Sequence, residues 1–323
     1  MPHPSAVRTA VVAVGGNALT RADQAGTYEE QLRNATSVAQ MVCRLVETGY
    51  RVILTHGNGP QVGNLSIQQE EGSVPPQPLS ALVAMTQGEL GHLLSLALHR
   101  ASGGTLPVVS VMTQVEVEAS DPAFRNPSKP IGPFFDKATA EELANRRGWV
   151  VREDAGRGFR RVVPSPDPKT ILEAGAIREL IHRDYVVIAG GGGGVPVVRR
   201  RNRLMGADAV IDKDITAAVL ASSVRADTLI FLTGIAQIYL DFGTPAQRPI
   251  SELTVAEAEK YLKEGQFPAG SMGPKVSAAI RFLGQGGERT YITSARYLVE
   301  TVTGNRGTRI LGAPAARRRA AVV

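Results

Sequence analysis

The segment that decides the fold runs from Asp184 to Asp214 and reads DYVVIAGGGGGVPVVRRRNRLMGADAVIDKD. Its apolar run, Tyr185–Ala189, is typical of a strand buried on both faces of a parallel sheet. Five glycines, Gly190–Gly194, follow at the carboxyl end of that strand, where missing Cβ atoms let the backbone approach an anion. Lys213 then stands between two aspartates. The segment therefore predicts a phosphate site in an α/β protein.

The first 60 residues repeat this arrangement. An apolar strand over Thr9–Val14 ends in Gly15 and Gly16, and residues 28–48 have the apolar spacing of an amphipathic helix. A second strand over Arg51–Thr55 runs into a loop that contains Gly57, Asn58 and Gly59. This is the pattern of a βαβ unit, in which ligands bind beyond the carboxyl ends of the strands. We therefore expect both glycine loops to face one pocket.

The rest of the chain predicts more helices and strands of the same kind. The expected elements are a helix over Leu79–Ala101, a strand over Pro107–Met112, a helix over Pro168–Arg183, a helix over Ile215–Val224, a strand over Thr228–Thr233, an edge strand over Ile238–Leu240, a helix from a Thr254–Glu257 capping box to about Glu264, a loop over Phe267–Lys275 and a strand over Thr290–Thr293. Residues 119–166 are rich in proline and predict a small protruding subdomain. The fold class is α/β, a three-layer αβα sandwich around a mostly parallel sheet.

Composition fits a globular protein with a large core. The 323 residues are 43% hydrophobic and 20% charged, and no 18 consecutive residues are apolar. A start without a signal-peptide pattern and the lone Cys43, interpreted as buried, favour the cytoplasm. The net charge of +6 comes from scattered residues, so we expect no nucleic-acid or membrane partner. We expect a flexible tail over residues 312–323.

Lysine is rare in this chain. Of 36 basic residues only seven are lysine, and three of these, Lys129, Lys213 and Lys275, lie beside Gly, Pro or Asp. A compact ammonium differs from the planar guanidinium that the chain otherwise uses, which indicates a particular role at these positions. A surface role for each of the three lysines stays open at this point.

The well-known phosphate and cofactor motifs are absent. The sequence contains no G-x-x-x-x-G-K-[ST] loop, no protein-kinase signature, no G-x-G-x-x-G after the first strand and no zinc-type Cys/His cluster. What remains is several glycine loops at strand ends together with isolated lysines. Phosphoryl transfer needs positioning and charge neutralisation rather than covalent help, and these groups supply both. His56, at the end of the second strand, is interpreted as a structural hydrogen-bonding residue rather than a general base.

Eight segments, in order along residues 10–305, make the interpretation specific. They are VVAVGGNAL, THGNGPQVGN, MTQGELGHLL, DPAFRNPSKPIGPFF, RRVVPSPDP, GGGGGVPVV, ADAVIDKD and GSMGPK. Together they resemble the carbamate kinases of the amino-acid kinase family. The resemblance implies a homodimer that uses Mg²⁺ to transfer a phosphoryl group between ATP and carbamate, giving ADP and carbamoyl phosphate, often in arginine metabolism. It also implies an acid-binding lobe over residues 1–214, which includes the protruding subdomain, and a nucleotide-binding lobe over residues 215–323.

The resemblance also assigns roles to individual residues. Carbamate and the transferring phosphoryl group would contact Gly15, Gly16, Asn17, Gly57, Asn58 and Gly59. The catalytic set would be Lys129, Lys213, Asp214 and Lys275, with Asp214 holding Lys213 in place. The nucleotide would lie against Lys213, Thr233, Gly234, Tyr239, Met272, Gly273 and Lys275. No metal-ligating residue is assigned, because Mg²⁺ is expected mainly on the nucleotide phosphates.

Two features separate this sequence from its wider family. Other members place a lysine in the first strand, whereas this strand reads Val12-Ala13-Val14, which favours the carbamate branch with Lys129. An aspartate that usually follows the Leu-Thr-Gly segment is replaced here by Ala236. Two alternatives therefore stay open: a related kinase that phosphorylates another small acid, and a nucleotide-binding regulator without turnover.

Overall fold

The computed structural model describes residues 7–21, 24–154, 156–268, 270–304 and 306–312. Within those ranges, the side chains of Gly16, Asn17 and Glu70 are not described. All of the predicted tail except Gly312 lies outside the described residues.

The described residues form strands and helices that alternate through most of the chain. The strands are β1 (Arg8–Val14), β2 (Tyr50–His56), β3 (Val108–Ser110), β4 (Gln114–Val117), β5 (Lys129–Phe135), β6 (Val150–Glu153), β7 (Phe159–Val163), β8 (Pro168–Ile171), β9 (Val186–Ile188), β10 (Val195–Arg200), β11 (Arg203–Gly206), β12 (Thr228–Thr233), β13 (Ile238–Leu240), β14 (Arg248–Ile250), β15 (Glu252–Thr254), β16 (Arg289–Ser294) and β17 (Thr308–Leu311). The helices are α1 (Gly16–Leu19), α2 (Tyr28–Glu47), α3 (Gly59–Glu71), α4 (Leu79–Ala101), α5 (Lys137–Arg147), α6 (Ala174–His182), α7 (Lys213–Ser223), α8 (Val255–Lys263), α9 (Met272–Gly284) and α10 (Leu298–Val302).

An eight-stranded sheet forms the centre of the fold. Its strand order is β15-β17-β16-β12-β1-β2-β9-β3. Every neighbouring pair is parallel except β16 and β17, which are antiparallel, so the predicted mostly parallel sheet is confirmed. The sheet is continuous across the predicted lobe boundary at residue 214, because β1 pairs with β12. The division into two lobes stays a prediction.

Helices cover both faces of this sheet. Along β1, the side chains of Ala10, Val12 and Val14 join a core cluster with α2 and α4, whereas Val11 and Ala13 join a second cluster with α6, α7 and α9. All five side chains are fully buried. Because successive strand residues point to opposite faces, an uninterrupted apolar strand fills two cores at once. The predicted three-layer sandwich is therefore present.

Residues 129–163 form a separate small unit, which we call the lid. Its sheet has the order β5-β7-β6, and α5 lies between β5 and β6 in the chain. Strands β6 and β7 pair antiparallel and form a hairpin within it. The lid packs on α3 so closely that a Cβ atom at Gly63 would lie 2.0 Å from the Cα atom of Gly132. Backbone contact of this kind fixes the lid against the main body.

Three local predictions need correction. Residues 168–183 are not one helix: β8 comes first, in a four-stranded sheet of order β11-β10-β4-β8, and α6 begins only at Ala174. The strand over Ile238–Leu240 lies outside the main sheet and pairs with β14. The loop predicted over Phe267–Lys275 is shorter than expected: α9 begins at Met272, so Lys275 lies in the first turn of this helix.

Helix α4 is long and apolar enough to cross a membrane by length and composition alone. In the fold, 56% of its most apolar window is buried inside the protein. Its buried residues, among them Leu90, Leu93 and Leu94, pack into the core cluster on one face of the main sheet. This is the burial pattern of a core helix.

Candidate active site

Four neighbouring strands of the main sheet end beside the predicted site. Strands β12, β1, β2 and β9 are adjacent and parallel, so their carboxyl ends lie along one edge. Gly15 follows β1 and donates its N–H to Leu232 O at 3.3 Å, while Gly57 follows β2 and donates to Val14 O at 3.2 Å. The two glycine loops predicted to share one pocket therefore lie next to each other.

The pentaglycine loop is buried inside the protein. Gly190–Gly194 are buried, and a Cβ atom at Gly191 would lie 2.3 Å from His56 Nε2. Three threonines hold the loop: Thr55 donates to Gly190 O, Thr216 donates to Gly193 O, and Gly190 N–H donates to Thr113 Oγ1, each at 2.9 Å. These three bonds engage one N–H group of the loop, so the approach of an anion to its backbone stays a prediction for these glycines. They allow tight packing behind the site.

His56 is part of this packing. It is 1% exposed, and its Nδ1 lies 3.2 Å from Gly57 O. Burial lowers the pKa of His56 to about 4, because the imidazolium would lose its hydration; the positive charge of Lys213 acts in the same direction. A neutral, enclosed imidazole fits the predicted structural role.

Two of the predicted lysines converge on one carboxylate. Lys213 Nζ lies 2.5 Å from Asp214 Oδ1, and Lys275 Nζ lies 3.1 Å from Asp214 Oδ2. Their side chains are only 11%, 14% and 7% exposed for Lys213, Lys275 and Asp214 respectively. Lys213 and Asp214 begin α7, and Lys275 lies in the first turn of α9, so two helix starts meet here.

The charges in this cluster depend on one another. Burial alone would raise the pKa of Asp214, but the ammonium groups of Lys213 and Lys275 hold it below its usual range. Burial lowers the pKa of Lys213, and the charge of Lys275 adds to this effect, while Asp214 opposes it. Two cations share one carboxylate, which leaves an excess of positive charge at the site for an anion.

The third predicted lysine reaches the same place from the lid. Lys129, the first residue of β5, forms a short ion pair with Asp212 Oδ2. Asp212 directly precedes Lys213 in the chain. All three lysines therefore bind carboxylates within the three-residue segment Asp212–Asp214.

A cavity of about 700 Å³ opens beside this cluster. It is lined by the following described residues that the sequence analysis proposed: Gly15, Lys213, Thr233, Gly234, Tyr239, Met272 and Lys275. The other proposed residues, Gly57, Asn58, Gly59, Lys129, Asp214 and Gly273, lie outside its lining. Gly16 starts α1 next to Gly15, and the side chain of Asn17 is outside the description. The volume lies within the range of small-molecule sites.

Comparison with known proteins shows the family to which this chain belongs. The amino acid kinase family matches residues 8–294. The carbamate kinase of Thermococcus kodakarensis is 46% identical over 313 residues, covering 94% of this chain and 99% of its own. A structure of Giardia lamblia carbamate kinase bound to AMP-PNP is 40% identical, with a TM-score of 0.87, covering 96% of this chain and all of that one. The chain belongs to the carbamate kinases.

Membership of the carbamate kinases makes this chain a phosphotransferase that binds nucleotide. A second Giardia lamblia carbamate kinase structure, bound to citric acid, superposes with a TM-score of 0.91 over 96% of this chain. The amino-acid kinase fold predicted from the sequence is confirmed by these similarities.

Several residues of this carbamate kinase line the cavity without having been predicted. They are Arg21, Asn34, Ser37, Phe242, Gln266 and Arg296 among others. The ring centroids of Phe242 and Tyr239 are 6.1 Å apart. Phe242 could have been predicted from the sequence, because it follows the predicted nucleotide contact Tyr239 by three residues. The others come from α2 and from loops that no motif marks. The described lining contains no carboxylate, and Ala236 lies outside it.

Proposed function

We propose that this carbamate kinase transfers a phosphoryl group reversibly between ATP and carbamate in the cavity beside Asp212–Asp214. In the direction of ATP synthesis, an oxygen of the ADP β-phosphate attacks the phosphorus of carbamoyl phosphate. The bond from phosphorus to the carbamoyl oxygen breaks, and carbamate leaves as an anion. No proton has to move, so the site needs cations and alignment rather than a general base.

The convergence of Lys213 and Lys275 on Asp214 is the observation that carries this proposal. In our account Lys213 bridges the transferring phosphoryl group and the nucleotide, and Asp214 holds its ammonium in place. Lys275 lies along the nucleotide phosphates, and Lys129 approaches from the lid. Preorganised cations of this kind neutralise charge where it develops, and alignment of the two substrates alone removes roughly 7–11 kcal/mol from a barrier.

Carbamate and the phosphoryl group would be held by the loops after β1 and β2. The proposed contacts are Gly15, Gly16, Asn17, Gly57, Asn58 and Gly59. Support comes from α3, whose first residue is Gly59 and whose N-cap, Asn58, makes no side-chain cap hydrogen bond. The free N–H groups of a helix start favour an anion. The Asn58 amide donates instead to Thr86 Oγ1 at 2.9 Å, so Asn58 would act through its backbone.

The nucleotide would occupy the cavity that Thr233, Tyr239 and Met272 line. Its proposed contacts are Thr233, Gly234, Tyr239, Met272 and Gly273, together with Lys213 and Lys275. Support comes from α9, which starts at Met272 without a side-chain cap hydrogen bond, because the positive end of a helix dipole favours phosphate. Gly273 N–H donates to Pro268 O at 3.0 Å, so Gly273 would act through close backbone approach. The aromatic pair of Tyr239 and Phe242 offers a surface for the base.

Magnesium enters this account as part of the nucleotide substrate. Mg²⁺ is commonly held by substrate phosphates and one or two carboxylates, with water completing its shell. Asp212 and Asp214 are the carboxylates at hand, and each is engaged by lysine. Among the described residues no group of three or more His, Cys, Asp or Glu side chains could hold a metal ion. This donor set fits a cation that arrives bound to ADP or ATP.

We also propose that the enzyme is a cytoplasmic homodimer of arginine metabolism. Exposed apolar side chains support a second copy as partner: Met85 is 47% exposed, Met112 58% and Met205 52%. Met85 lies on α4 and Met205 on β11, and α4 packs on β10, the partner strand of β11. Size-exclusion chromatography with light scattering tests this, and a monomer at micromolar concentration would contradict it.

The test of the activity is ATP synthesis from ADP, Mg²⁺ and carbamoyl phosphate, with acetyl phosphate as a matched phosphoryl donor. We expect rapid synthesis with carbamoyl phosphate and at most slow synthesis with acetyl phosphate. Preference for acetyl phosphate would indicate a kinase of another small acid. ADP binding without synthesis from either donor would indicate a regulator.

A further inference from the structure

The two oxygens of the Asp212 carboxylate have different partners. Oδ1 accepts the backbone N–H groups of Asp214 at 2.8 Å and Ile215 at 3.4 Å, which makes Asp212 the N-cap of α7. Oδ2 accepts the ammonium of Lys129, 83 residues earlier in the chain. One carboxylate therefore joins the first turn of a core helix to the lid.

We propose that Asp212 is the positioning residue for Lys129 in phosphoryl transfer. It holds the lid lysine beside Lys213, so that both ammonium groups face the same phosphoryl group. This inference rests on the proposed function, and it adds a role for a residue that the catalytic set omits.

Lys129 needs such a partner because of how it enters the site. Its backbone is fixed where β5 packs on α3, through the contact of Gly63 with Gly132. The side chain beyond has four methylene groups, which leave the ammonium free to take many positions. Binding to Asp212 selects one of them. An ammonium has three N–H donors, so two remain for substrate oxygens while the pair persists.

The environment keeps Asp212 charged for this task. Burial alone would raise the pKa of Asp212, but the Lys129 and Lys213 ammonium groups and the N–H of Asp214 hold it well below its usual range. The side chains of Lys129 and Asp212 are 26% and 24% exposed, so the pair borders the open site. A partly accessible ion pair can position a cation and still leave it open to a substrate.

The substitution Asp212→Asn separates the two roles. Asparagine caps helices about as well as aspartate, so the α7 cap is kept and Tm should change by no more than about 2 °C. The charge that holds Lys129 is lost. A hydrogen bond to a charged group corresponds to roughly a 10- to 100-fold effect, so we expect kcat for ATP synthesis to fall by that factor with the KM for ADP unchanged. The Mg²⁺ concentration for half-maximal rate should also stay unchanged.

Asp136→Asn is the matched control. Asp136 caps α5 in the lid by accepting the N–H of Thr139 at 2.9 Å, and it is an exposed N-cap outside the site. This variant should keep the wild-type kcat. The double variant Lys129→Met/Asp212→Asn completes the design. If Asp212 acts through Lys129, the double variant turns over no more slowly than Lys129→Met alone.

Four results would overturn the inference. Asp212→Asn with kcat within about twofold of wild type, beside an impaired Lys129→Met, would contradict it and leave the proposed function standing. A further 10- to 100-fold loss in the double variant, or a raised Mg²⁺ requirement, would show that Asp212 acts on Lys213 or on the metal instead. Wild-type activity of Lys129→Met would overturn both the inference and the proposed role of Lys129.

Discussion

Lys213 and Lys129 reach neighbouring carboxylates from two different parts of the molecule. Lys213 belongs to the core: it begins α7, which packs against the main sheet, and its side chain is 11% exposed. Lys129 belongs to the lid, is 26% exposed and meets the core through Asp212. The core lysine is placed by its own helix and by the immediately following aspartate, whereas the lid lysine is placed by tertiary contacts.

The two lysines therefore depend on different features of the structure for their positions. The position of Lys213 follows from burial and from the buried layer behind it, formed by His56 and the pentaglycine loop. The position of Lys129 follows from how the lid docks on α3 and from one ion pair. Changes in the core should therefore act on charge and stability, while changes at the lid should act on alignment.

The largest effect is expected for Lys213→Met. Loss of one preorganised charge-stabilising group costs about 10²–10³-fold in kcat, and we expect a loss at least that large. The fold should survive, because Asp214 keeps Lys275 as a partner. Steady-state ATP synthesis and circular dichroism provide the measurements. Lys263→Met, on the exposed surface at the end of α8, is the control and should be as active as wild type.

The second effect concerns stability on the core side and depends on pH. The pKa of His56 is about 4 in the folded protein and 6.5 as a reference for the unfolded chain. Above pH 6.5 neither state binds the proton, so stability is unaffected. As pH falls from 6.5 to 4 the unfolded chain binds a proton that the folded protein excludes, and stability falls by about 3 kcal/mol.

Urea unfolding of wild type and His56→Gln over pH 4–7 measures this effect. As pH falls from 6.5 to 4, we expect the free energy of unfolding of wild type to decrease by more than that of His56→Gln. The control is His182→Gln, because this side chain is exposed at the end of α6. Parallel curves for wild type and His56→Gln would refute the burial account of His56.

The smallest of these effects concerns how the lid docks. Gly63→Ala places a methyl group 2.0 Å from Gly132 Cα, which forces β5 away from α3. Overpacking typically costs about 1–3 kcal/mol, and we expect kcat to fall as well, since Lys129 moves with β5. Gly175→Ala, in α6 with open space around its Cβ, is the control and should gain about 0.5–1 kcal/mol. Full activity in Gly63→Ala would show that lid docking does not align Lys129.

The local spacing of apolar residues correctly predicted strands that are buried on both faces and helices that bury one apolar side. Helix α4 has the bounds that its apolar spacing predicted, and β12 ends at Thr233 as expected. The error over residues 168–183 arose because β8 has only four residues and its pairing partner, β4, lies more than 50 residues earlier. Strand β17 was missed for the same reason, since its apolar pattern is short and its position depends on β16.

In the site too, local contacts could be predicted from the sequence and long-range contacts could not. The pair of Lys213 and Asp214 is adjacent in sequence, so a motif could reveal it. The ion pair of Lys129 and Asp212 spans 83 residues and depends on how the lid packs, which no local pattern encodes. The five glycines were recognised, but only packing shows that His56 and three threonines enclose them.

The central claim is that a core lysine and a lid lysine act on one phosphoryl group. It is tested most directly by the kcat of Lys129→Met in ATP synthesis at saturating ADP, Mg²⁺ and carbamoyl phosphate, with ADP affinity measured on the same sample. We predict a fall in kcat of about 100-fold or more with ADP affinity unchanged. A kcat within about threefold of wild type would contradict the claim and leave the lid without a catalytic role.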